Sequence, residues 1–351
     1  MKAWENKIRK IDHPYVAGYQ PKDYSVIKLN ANENPYPPAP EVDEVISKFQ
    51  SENLRLYPDL NCTELVDEIA DFAGAAPEEV FTGVGSDDVL GMAFLTFFNS
   101  DKPILFPDIT YSFYDVWADL YRIPYECPKL DENFRIQRED YYKENGGVVI
   151  ANPNAPTSIG ENLDFIRDIL DHNQDVIVIV DEAYVHFGGE TAIGLIHEYE
   201  NLLVVQTFSK SRSMAGMRIG YAIGNKELIT AMNRVKFSYN SYTMNMVTIK
   251  AGAASLRDRD YFNQTLQKVI EIREWSKKEL EKLGFICMDS QTNFLFATHK
   301  SVSAVEIFEK LQAKKIYVRH FDKPRIDNYL RITIGTKEQM QQLMDALREI
   351  V

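Results

Sequence analysis

Three short, largely apolar runs, at residues 148–151, 176–180 and 202–208, are each followed by polar residues. They lead into the segments NPNAPT, DEAY and SKS, in that order. Continuous apolar runs of this length are typical of strands buried on both faces. Because ligands of parallel α/β sheets bind at the carboxyl ends of the strands, these polar residues are the candidates for chemistry.

Asp181 and Lys210 are the two charged residues that best fit a reactive site. A carboxylate at the end of a buried strand is unfavourable unless it is paired, although Asp181 could equally be a helix N-cap. A partly desolvated lysine has a lowered pKa and becomes a nucleophile. For Lys210 alone, a solvated surface lysine is the simpler reading. The two residues lie 29 positions apart in the sequence.

Two further polar residues belong to the same pattern. Arg218 follows the small residues of SMAGM, which allow close approach of a backbone, and its planar guanidinium could bind a phosphate. Asn154 lies between two prolines that stiffen the turn, so it could present a fixed amide donor. The simpler alternatives are a surface ion pair for Arg218 and a plain structural turn around Asn154.

The elements that must position these residues alternate between strands and helices from residue 80 onward. This order predicts an α/β fold with a mostly parallel, doubly wound sheet. The predicted strands are Ile104–Phe106, Val148–Ala151, Val176–Val180, Leu202–Gln206 and Gly220–Ile223.

The ends of the chain have a different character. The first 40 residues are rich in Pro, Tyr and Asn and indicate an extended arm, followed by a helix at residues 41–50. The last third predicts a long amphipathic helix from Asp258 to Leu283, stopped by Gly284. After it, strands are expected at 294–297, 316–319 and 329–334, with helices at 304–313 and at the end of the chain. We therefore predict an arm (1–29), a large α/β domain (30–244) and a smaller α+β domain (245–351) that packs with the arm.

Composition narrows the class of protein. The 351 residues carry 39 Lys+Arg and 52 Asp+Glu, a formal net charge of -13. This acidic balance argues against a nucleic-acid partner, but not against small anions, which a few local cations can bind. We expect no membrane partner and no metal site, since apolar runs are short and histidines do not cluster. Three scattered cysteines and the absence of a signal peptide favour the cytoplasm.

In combination, these motifs resemble the fold-type I pyridoxal-phosphate (PLP) enzymes. The resemblance is carried by NPNAPTS, DEAY and TFSKSRSMAGMRIGY, and it implies PLP as cofactor. Within that superfamily the chain is similar to the histidinol-phosphate aminotransferase family. The segments PYVAGYQP, KLNANENPYPP, LRLYPD, GVGSDD, ITYSFY, IYVRHF and YLRITIGT carry this closer resemblance, from about residue 14 to residue 336.

The resemblance implies a role for each residue around the cofactor ring. Lys210 would hold PLP covalently and then move the substrate Cα proton. Asp181 would pair with the pyridine nitrogen. Tyr184 would hydrogen-bond the ring's phenolic oxygen, with Asn154 on the same oxygen, and Tyr111 would stack on the ring.

The cofactor phosphate would bind where the segment GSDD opens an apolar helix, because helix N-termini favour anions. The resemblance assigns this cup to Gly85, Ser86, Asp87, Ser209, Ser211 and Arg218. Asp87 would contribute only its backbone, since its carboxylate repels phosphate. Tyr57 would reach the phosphate of the partner subunit, which implies a homodimer with shared active sites.

Substrate recognition is expected from the arm and the smaller domain. Arg331 matches the family arginine for the carboxylate of glutamate or 2-oxoglutarate. Arg319 and Tyr15 would help with a substrate phosphate. Asn32, with Tyr239 and Asn240, would line the same pocket.

The chain departs from the family pattern at two places. It has Asn154-Ala155-Pro156-Thr157-Ser158 where the family usually has NNPTG, so the second asparagine is absent and any amide contact must come from Asn154. It also has Asp87-Asp88 where an Asp-Glu pair is usual.

The implied reaction is amino transfer between histidinol phosphate and 2-oxoglutarate, giving imidazole-acetol phosphate and glutamate, in histidine biosynthesis. Two other enzymes on the same scaffold remain open, an aromatic amino-acid aminotransferase and a threonine-phosphate decarboxylase. A non-catalytic PLP-binding protein is disfavoured because Lys210, Asp181, Tyr184 and Arg218 are all present.

Overall fold

The computed structural model describes residues 4–11, 14–15, 18–23 and 25–351. The helices in chain order are α1 (Pro40–Lys48), α2 (Thr63–Ala73), α3 (Ser86–Phe97), α4 (Tyr114–Tyr121), α5 (Leu163–Asp171), α6 (Lys226–Tyr239), α7 (Met246–Arg257), α8 (Arg259–Lys282), α9 (Ala304–Ala313) and α10 (Lys337–Arg348). Within these residues, no helix has the length and apolar character needed to cross a bilayer.

The strands form three sheets. In chain order they are β1 (Ile27–Lys28), β2 (Val80–Gly83), β3 (Ile104–Leu105), β4 (Tyr125–Glu126), β5 (Gly147–Ala151), β6 (Val178–Asp181), β7 (Leu202–Thr207), β8 (Gly220–Gly224), β9 (Phe285–Cys287), β10 (Phe294–His299), β11 (Ile316–Tyr317), β12 (Arg319–His320) and β13 (Leu330–Thr333).

The largest sheet has the order β2-β8-β7-β6-β5-β3-β4. Its pairs are parallel except at β8, which runs antiparallel to both β2 and β7. The fold class is therefore the predicted one, a mostly parallel α/β sheet, and β8 is the exception. The register aligns Ala151, Asp181 and Val205 on adjacent strands, so the loops after β5, β6 and β7 leave the sheet side by side.

The central strand explains why this sheet is covered on both faces. Val178, Ile179 and Val180 are fully buried. Successive side chains of a strand point to opposite faces. Val178 and Val180 pack in a core with residues of α2, α5 and α7, whereas Ile179 packs in a core with residues of α3, α4 and α6. Helices on both faces are the expected cover for a parallel sheet.

A second, antiparallel sheet of order β12-β13-β10-β9 packs with α8, α9 and α10 in a separate core. The amino-terminal segment joins this part of the molecule, because β1 pairs in parallel with β11. Leu29, just after β1, is buried in the same core.

The predicted division at residues 244/245 stays a prediction. The first helix after it, α7, packs on the large sheet, since Ile249 and Leu256 belong to the core of Val178.

Element positions follow the sequence pattern closely where it is strongly periodic. The long helix predicted over 258–283 is α8, with Asp258 as its N-cap. The prediction missed β1, β4 and β9, which are only two or three residues long. It also missed β2, which lies directly before α3. It also merged β11 and β12, which pair with different sheets.

Truncation in the central strand tests this account of the core. Ile179→Ala should lower the free energy of unfolding by about 2–5 kcal/mol, because it opens a cavity in a fully packed region. Ile286→Ala, on the edge strand β9 where the side chain is 47% exposed, is the matched control and should cost less than about 1 kcal/mol. Urea denaturation measures both, and equal losses would contradict the assignment of Ile179 to the core.

Candidate active site

The polar ends of β5, β6 and β7 meet the amino terminus of α3 around a cavity of about 140 Å³. Most of the residues that were predicted to surround a cofactor line it. These are Ser86, Asp87, Tyr111, Asp181, Tyr184, Ser209, Lys210 and Arg218. Residues far apart in the sequence are therefore brought to one place by the strand order.

Asp181 lies at the base of this cavity, at the carboxyl end of β6, and is only 5% exposed. Its Oδ1 accepts a hydrogen bond from the Ala183 amide and its Oδ2 accepts one from the Tyr114 hydroxyl. Burial raises the pKa of Asp181 to about 6, against the effect of those two donors. In the described residues it has no ion-pair partner, so a cationic ligand in the cavity would be strongly favoured.

Lys210 follows β7 and lines the cavity. Lys210 Nζ lies 3.5 Å from the Ala31 carbonyl oxygen and 5.8 Å from the centre of the Tyr184 ring. The Asn34 amide donates to the Lys210 carbonyl and fixes the backbone there. The amine forms no ion pair with a described residue, so it is available to a ligand.

Tyr184 is oriented from behind by Asn32. Asn32 Nδ2 donates to the Tyr184 hydroxyl oxygen at 2.8 Å, and Asn32 Oδ1 accepts from the Thr333 hydroxyl. Because the tyrosine oxygen already accepts this bond, its own hydrogen is free to donate into the cavity. Asn32 was predicted to bind substrate; it does line the outer cavity described below, but its amide is committed to Tyr184.

The start of α3 and Arg218 form a cradle suited to an anion. Gly85 precedes the helix with φ +91°, and a Cβ there would lie 2.5 Å from an Arg218 guanidinium nitrogen. Gly220, where β8 returns past β2, allows an equally close approach to the Gly85 backbone. Free amides at the helix start and the arginine favour a phosphate-sized anion.

Asp87 has its carboxylate in this cradle, not only its backbone. It accepts a hydrogen bond from the Tyr111 hydroxyl at 2.7 Å and pairs with Arg218 at 3.3 Å. A bound phosphate would compete with Asp87 for Arg218. Burial raises the pKa of Tyr111, and Asp87 adds to the effect, so the phenol stays protonated.

The cavity opens into an outer cavity of about 690 Å³ that Tyr15, Asn32, Arg319 and Arg331 line. Arg319 and Arg331 face each other across the antiparallel pair of β12 and β13. Like charges in this arrangement are unfavourable. Neither guanidinium is paired with a carboxylate in the described chain, and Arg331 Nε is buried without a partner. Burial lowers the pKa of Arg331, and Arg319 acts in the same direction.

Asn154 and Ser211 do not reach the cavity, contrary to prediction. The Asn154 amide donates to the Ile109 carbonyl and to the Thr157 hydroxyl, so both of its hydrogens are used away from the cavity. The neighbouring Ala155 lines the cavity instead. Ser211 is buried behind Lys210, with its hydroxyl 3.2 Å from His186 Nδ1.

Three other predicted residues lie on the surface. Tyr57 is 79% exposed and contacts the ring of Tyr242. It lines neither cavity of its own chain. Tyr239 is 76% exposed because α6 carries it outward, and Asn240 follows on the surface, so neither lines the two cavities of its own chain.

Two residues of the site escaped the sequence reading. Tyr114 bonds Asp181, and Thr207 exchanges hydrogen bonds with the hydroxyl and amide of Ser209. Thr207 could have been suspected from its position two residues before Ser209 at the strand end. Tyr114 is the last residue of the segment ITYSFY, but its role depends on a contact with Asp181, 67 residues away, that the segment does not show.

Sequence similarity to known proteins extends over the whole chain. A histidinol-phosphate aminotransferase of Clostridium botulinum (strain Kyoto / Type A2) is 50% identical over 350 residues, which is 100% of this chain and 99% of the relative. One of Clostridium beijerinckii is 49% identical, over 100% of this chain and 98% of that protein.

Solved structures agree on the fold. A histidinol-phosphate aminotransferase from Sinorhizobium meliloti in complex with pyridoxal-5'-phosphate superposes with TM-score 0.84 at 22% identity, over 92% of this chain and 90% of that chain. The family model "Aminotransferase class I and II" matches residues 24–347. With a family match of this length and relatives at half identity, the chain belongs to the class I and II aminotransferases.

Proposed function

We propose that the protein is a PLP-dependent aminotransferase that interconverts histidinol phosphate plus 2-oxoglutarate with imidazole-acetol phosphate plus glutamate, in histidine biosynthesis. The observation that carries this proposal is the Arg319–Arg331 couple, which has no carboxylate partner among the described residues and lies beside a cavity that Lys210 and Asp181 line. Both substrates carry an anionic group: histidinol phosphate has a phosphate, and 2-oxoglutarate has a side-chain carboxylate. The names of the half-identical relatives support the same substrate.

The donor set of the inner cavity fits PLP. The phosphate would lie against the start of α3 with Ser86, Ser209 and Arg218, and the ring nitrogen against Asp181. The amine of Lys210 would hold the cofactor aldehyde. When bound, PLP supplies an electron sink for the charge left on the substrate Cα.

The chain's own groups would do the remaining work. Lys210 Nζ, once free, would take the proton from the substrate Cα, since it is an amine that lines the inner cavity and has no ion-pair partner among the described residues. Tyr184, with its hydrogen free and its oxygen held by Asn32, would donate to the ring oxygen. Because Ala155 replaces the usual asparagine and Asn154 is turned away, Tyr184 would carry this contact without a side-chain amide.

The two outer arginines would bind each substrate in turn. A carboxylate or a phosphate accepts parallel hydrogen bonds from a guanidinium fork. We assign Arg331 to the carboxylate of the dicarboxylate substrate and Arg319, with Tyr15, to the substrate phosphate. Tyr15 is held close by stacking on Phe113 at 4.1 Å between ring centres.

An aromatic amino-acid aminotransferase and a threonine-phosphate decarboxylase remain the alternatives on this scaffold. The first would need no phosphate on its amino donor, although the carboxylates of its substrates would also suit two arginines. The second would use the phosphate site but release carbon dioxide. The reaction products therefore separate all three.

We further propose a homodimer in the cytoplasm. Tyr57 is a large exposed side chain that lines neither the inner nor the outer cavity of its own chain, which suits a contact with a second subunit. Cys62, Cys127 and Cys287 are all free thiols, as is usual in a reducing compartment.

Substitution of the lysine tests the cofactor. Wild-type protein incubated with PLP should be yellow after gel filtration, and Lys210→Ala should lose that absorbance because no amine remains to hold the aldehyde. Lys226→Ala, an exposed lysine at the start of α6, is the control and should keep it. A wild type that retains no PLP would overturn the cofactor assignment.

Substitution of the arginines tests the substrate. Arg319→Ala should raise KM for histidinol phosphate about 10- to 100-fold, as loss of a charge-assisted hydrogen bond predicts, and affect phenylalanine much less. Arg331→Ala should raise KM for 2-oxoglutarate. Arg319→Lys should be intermediate, because it keeps the charge without the fork. Steady-state kinetics measures all three, with carbon dioxide release from threonine phosphate assayed in parallel. Equal effects of Arg319→Ala on both amino donors would refute its role.

Subunit mixing tests the shared site. Lys210→Ala and Tyr57→Ala homodimers should each have little activity. If Tyr57 serves the partner, a mixed dimer contains one complete site, with the lysine from one chain and the tyrosine from the other. After an equimolar mixture is unfolded and refolded, about half of the dimers should be mixed, and each mixed dimer has one complete site out of two. Activity should therefore rise toward about a quarter of the wild-type value. No gain on mixing would contradict sharing through Tyr57.

A further inference from the structure

The first residue of α4, Tyr114, touches the carboxylate at the base of the inner cavity. Its hydroxyl donates to Asp181 Oδ2 at 2.7 Å. Tyr114 is fully buried, and Asp181 is the hydroxyl's partner in the described structure. A hydrogen bond from a neutral phenol to a buried carboxylate is one of the stronger kinds.

With this bond, each oxygen of the Asp181 carboxylate accepts one hydrogen bond from the protein. The Ala183 amide donates to Oδ1 at 3.1 Å, and Tyr114 donates to Oδ2. Each carboxylate oxygen can accept a further bond. Since Asp181 lines the cavity, those remaining acceptor positions are the ones available to a cationic N–H there.

The ring of Tyr114 has no room to turn its hydroxyl elsewhere. It packs against Phe94, Phe106, Tyr111 and Trp117, with ring centres 5.7–6.3 Å apart. The contact with Tyr111 is edge to face, at 84°. Tyr114 therefore joins the residue expected to stack on the cofactor ring to the one expected to pair with its nitrogen.

We propose that Tyr114 is a positioning residue, which fixes the Asp181 carboxylate in place and keeps it ionised for the nitrogen of the cofactor ring. This rests on the proposed PLP function. It differs from the simpler role of a core aromatic because the hydroxyl, not only the ring, is required.

The electrostatics of the cavity make that hydroxyl important. Burial raises the pKa of Asp181 to about 6, and the bond from Tyr114 opposes that rise. The charged or titratable groups around it are Asp87, Tyr111, Glu182, Lys210 and Arg218. Loss of the Tyr114 hydroxyl would raise the pKa further, so less of Asp181 would be ionised near neutral pH.

A protonated Asp181 would be a poor partner for a cationic ring nitrogen. The ligand would then bind more weakly, and its ring would be a poorer electron sink. The deficit would shrink as pH rises, because Asp181 regains its charge. This pH dependence separates the role from general loss of packing.

Tyr114→Phe removes the hydroxyl and keeps the ring, and Tyr141→Phe is the matched control. Tyr141 is also buried, at 1% exposed, but its hydroxyl has no hydrogen-bond partner in the described residues. Equilibrium binding of PLP should be measured by absorbance from pH 6 to 9. We expect Tyr114→Phe to weaken binding about tenfold at pH 7 and less at pH 9, and Tyr141→Phe to leave it unchanged.

A double-mutant cycle with Asp181→Asn tests whether Tyr114 acts through the carboxylate. In that background the neutral amide no longer depends on the phenol for its charge, so Tyr114→Phe should change PLP affinity less than about twofold. An equal loss in both backgrounds, or a loss independent of pH, would overturn the proposal. If wild type itself fails to bind PLP, the cofactor assignment fails first.

Should Tyr114→Phe not fold, site-specific 3-fluorotyrosine at position 114 serves instead. The more acidic phenol is a stronger donor and should move the pH midpoint of PLP binding downward. An unchanged midpoint would refute the role of the hydroxyl.

Discussion

The desolvated carboxylate of Asp181 is the interaction on which the rest of the site depends. It ends a strand whose other residues are fully buried, and the described structure gives it hydrogen-bond donors but no cation. Such a group is costly unless something positive meets it. The strand order makes the cavity above it the one place where a ligand can do so, with Lys210 and Arg218 already arranged around that space.

The net charge of -13 conceals this arrangement. Many basic side chains form ion pairs at the surface, as Lys48 does with Glu44 and Arg167 with Glu198, and such pairs contribute little. Arg319 and Arg331 are different, since their strands force them opposite each other and neither is paired with a described carboxylate. A local field set by a few unpaired cations, not the global sign, fits the anionic ligands proposed here.

The sequence was sufficient for the central strands and for most of the inner cavity, because buried runs and the polar residues that end them are local signals. Asn154 and Ser211 were misplaced for a reason that is not local. Which way a side chain leaves a turn depends on partners such as Ile109 and His186, from distant segments. The same holds for Tyr114, whose hydrogen bond to Asp181 joins α4 to β6 across 67 residues of sequence. Motifs located the site, and tertiary contacts decided which side chains enter it.

Features that oppose folding collect around one space. Asp181 is buried without a cation, Arg319 and Arg331 repel each other, and Arg218 and Asn32 both have positive φ angles, at 54° and 55°. Each is a cost that the surrounding core must offset. A ligand with a phosphate, a cationic ring nitrogen and a second anionic group would offset the electrostatic costs together, so part of the free energy lost in building the site becomes free energy of binding. That complementarity, more than any single residue, connects this fold to the chemistry proposed for it.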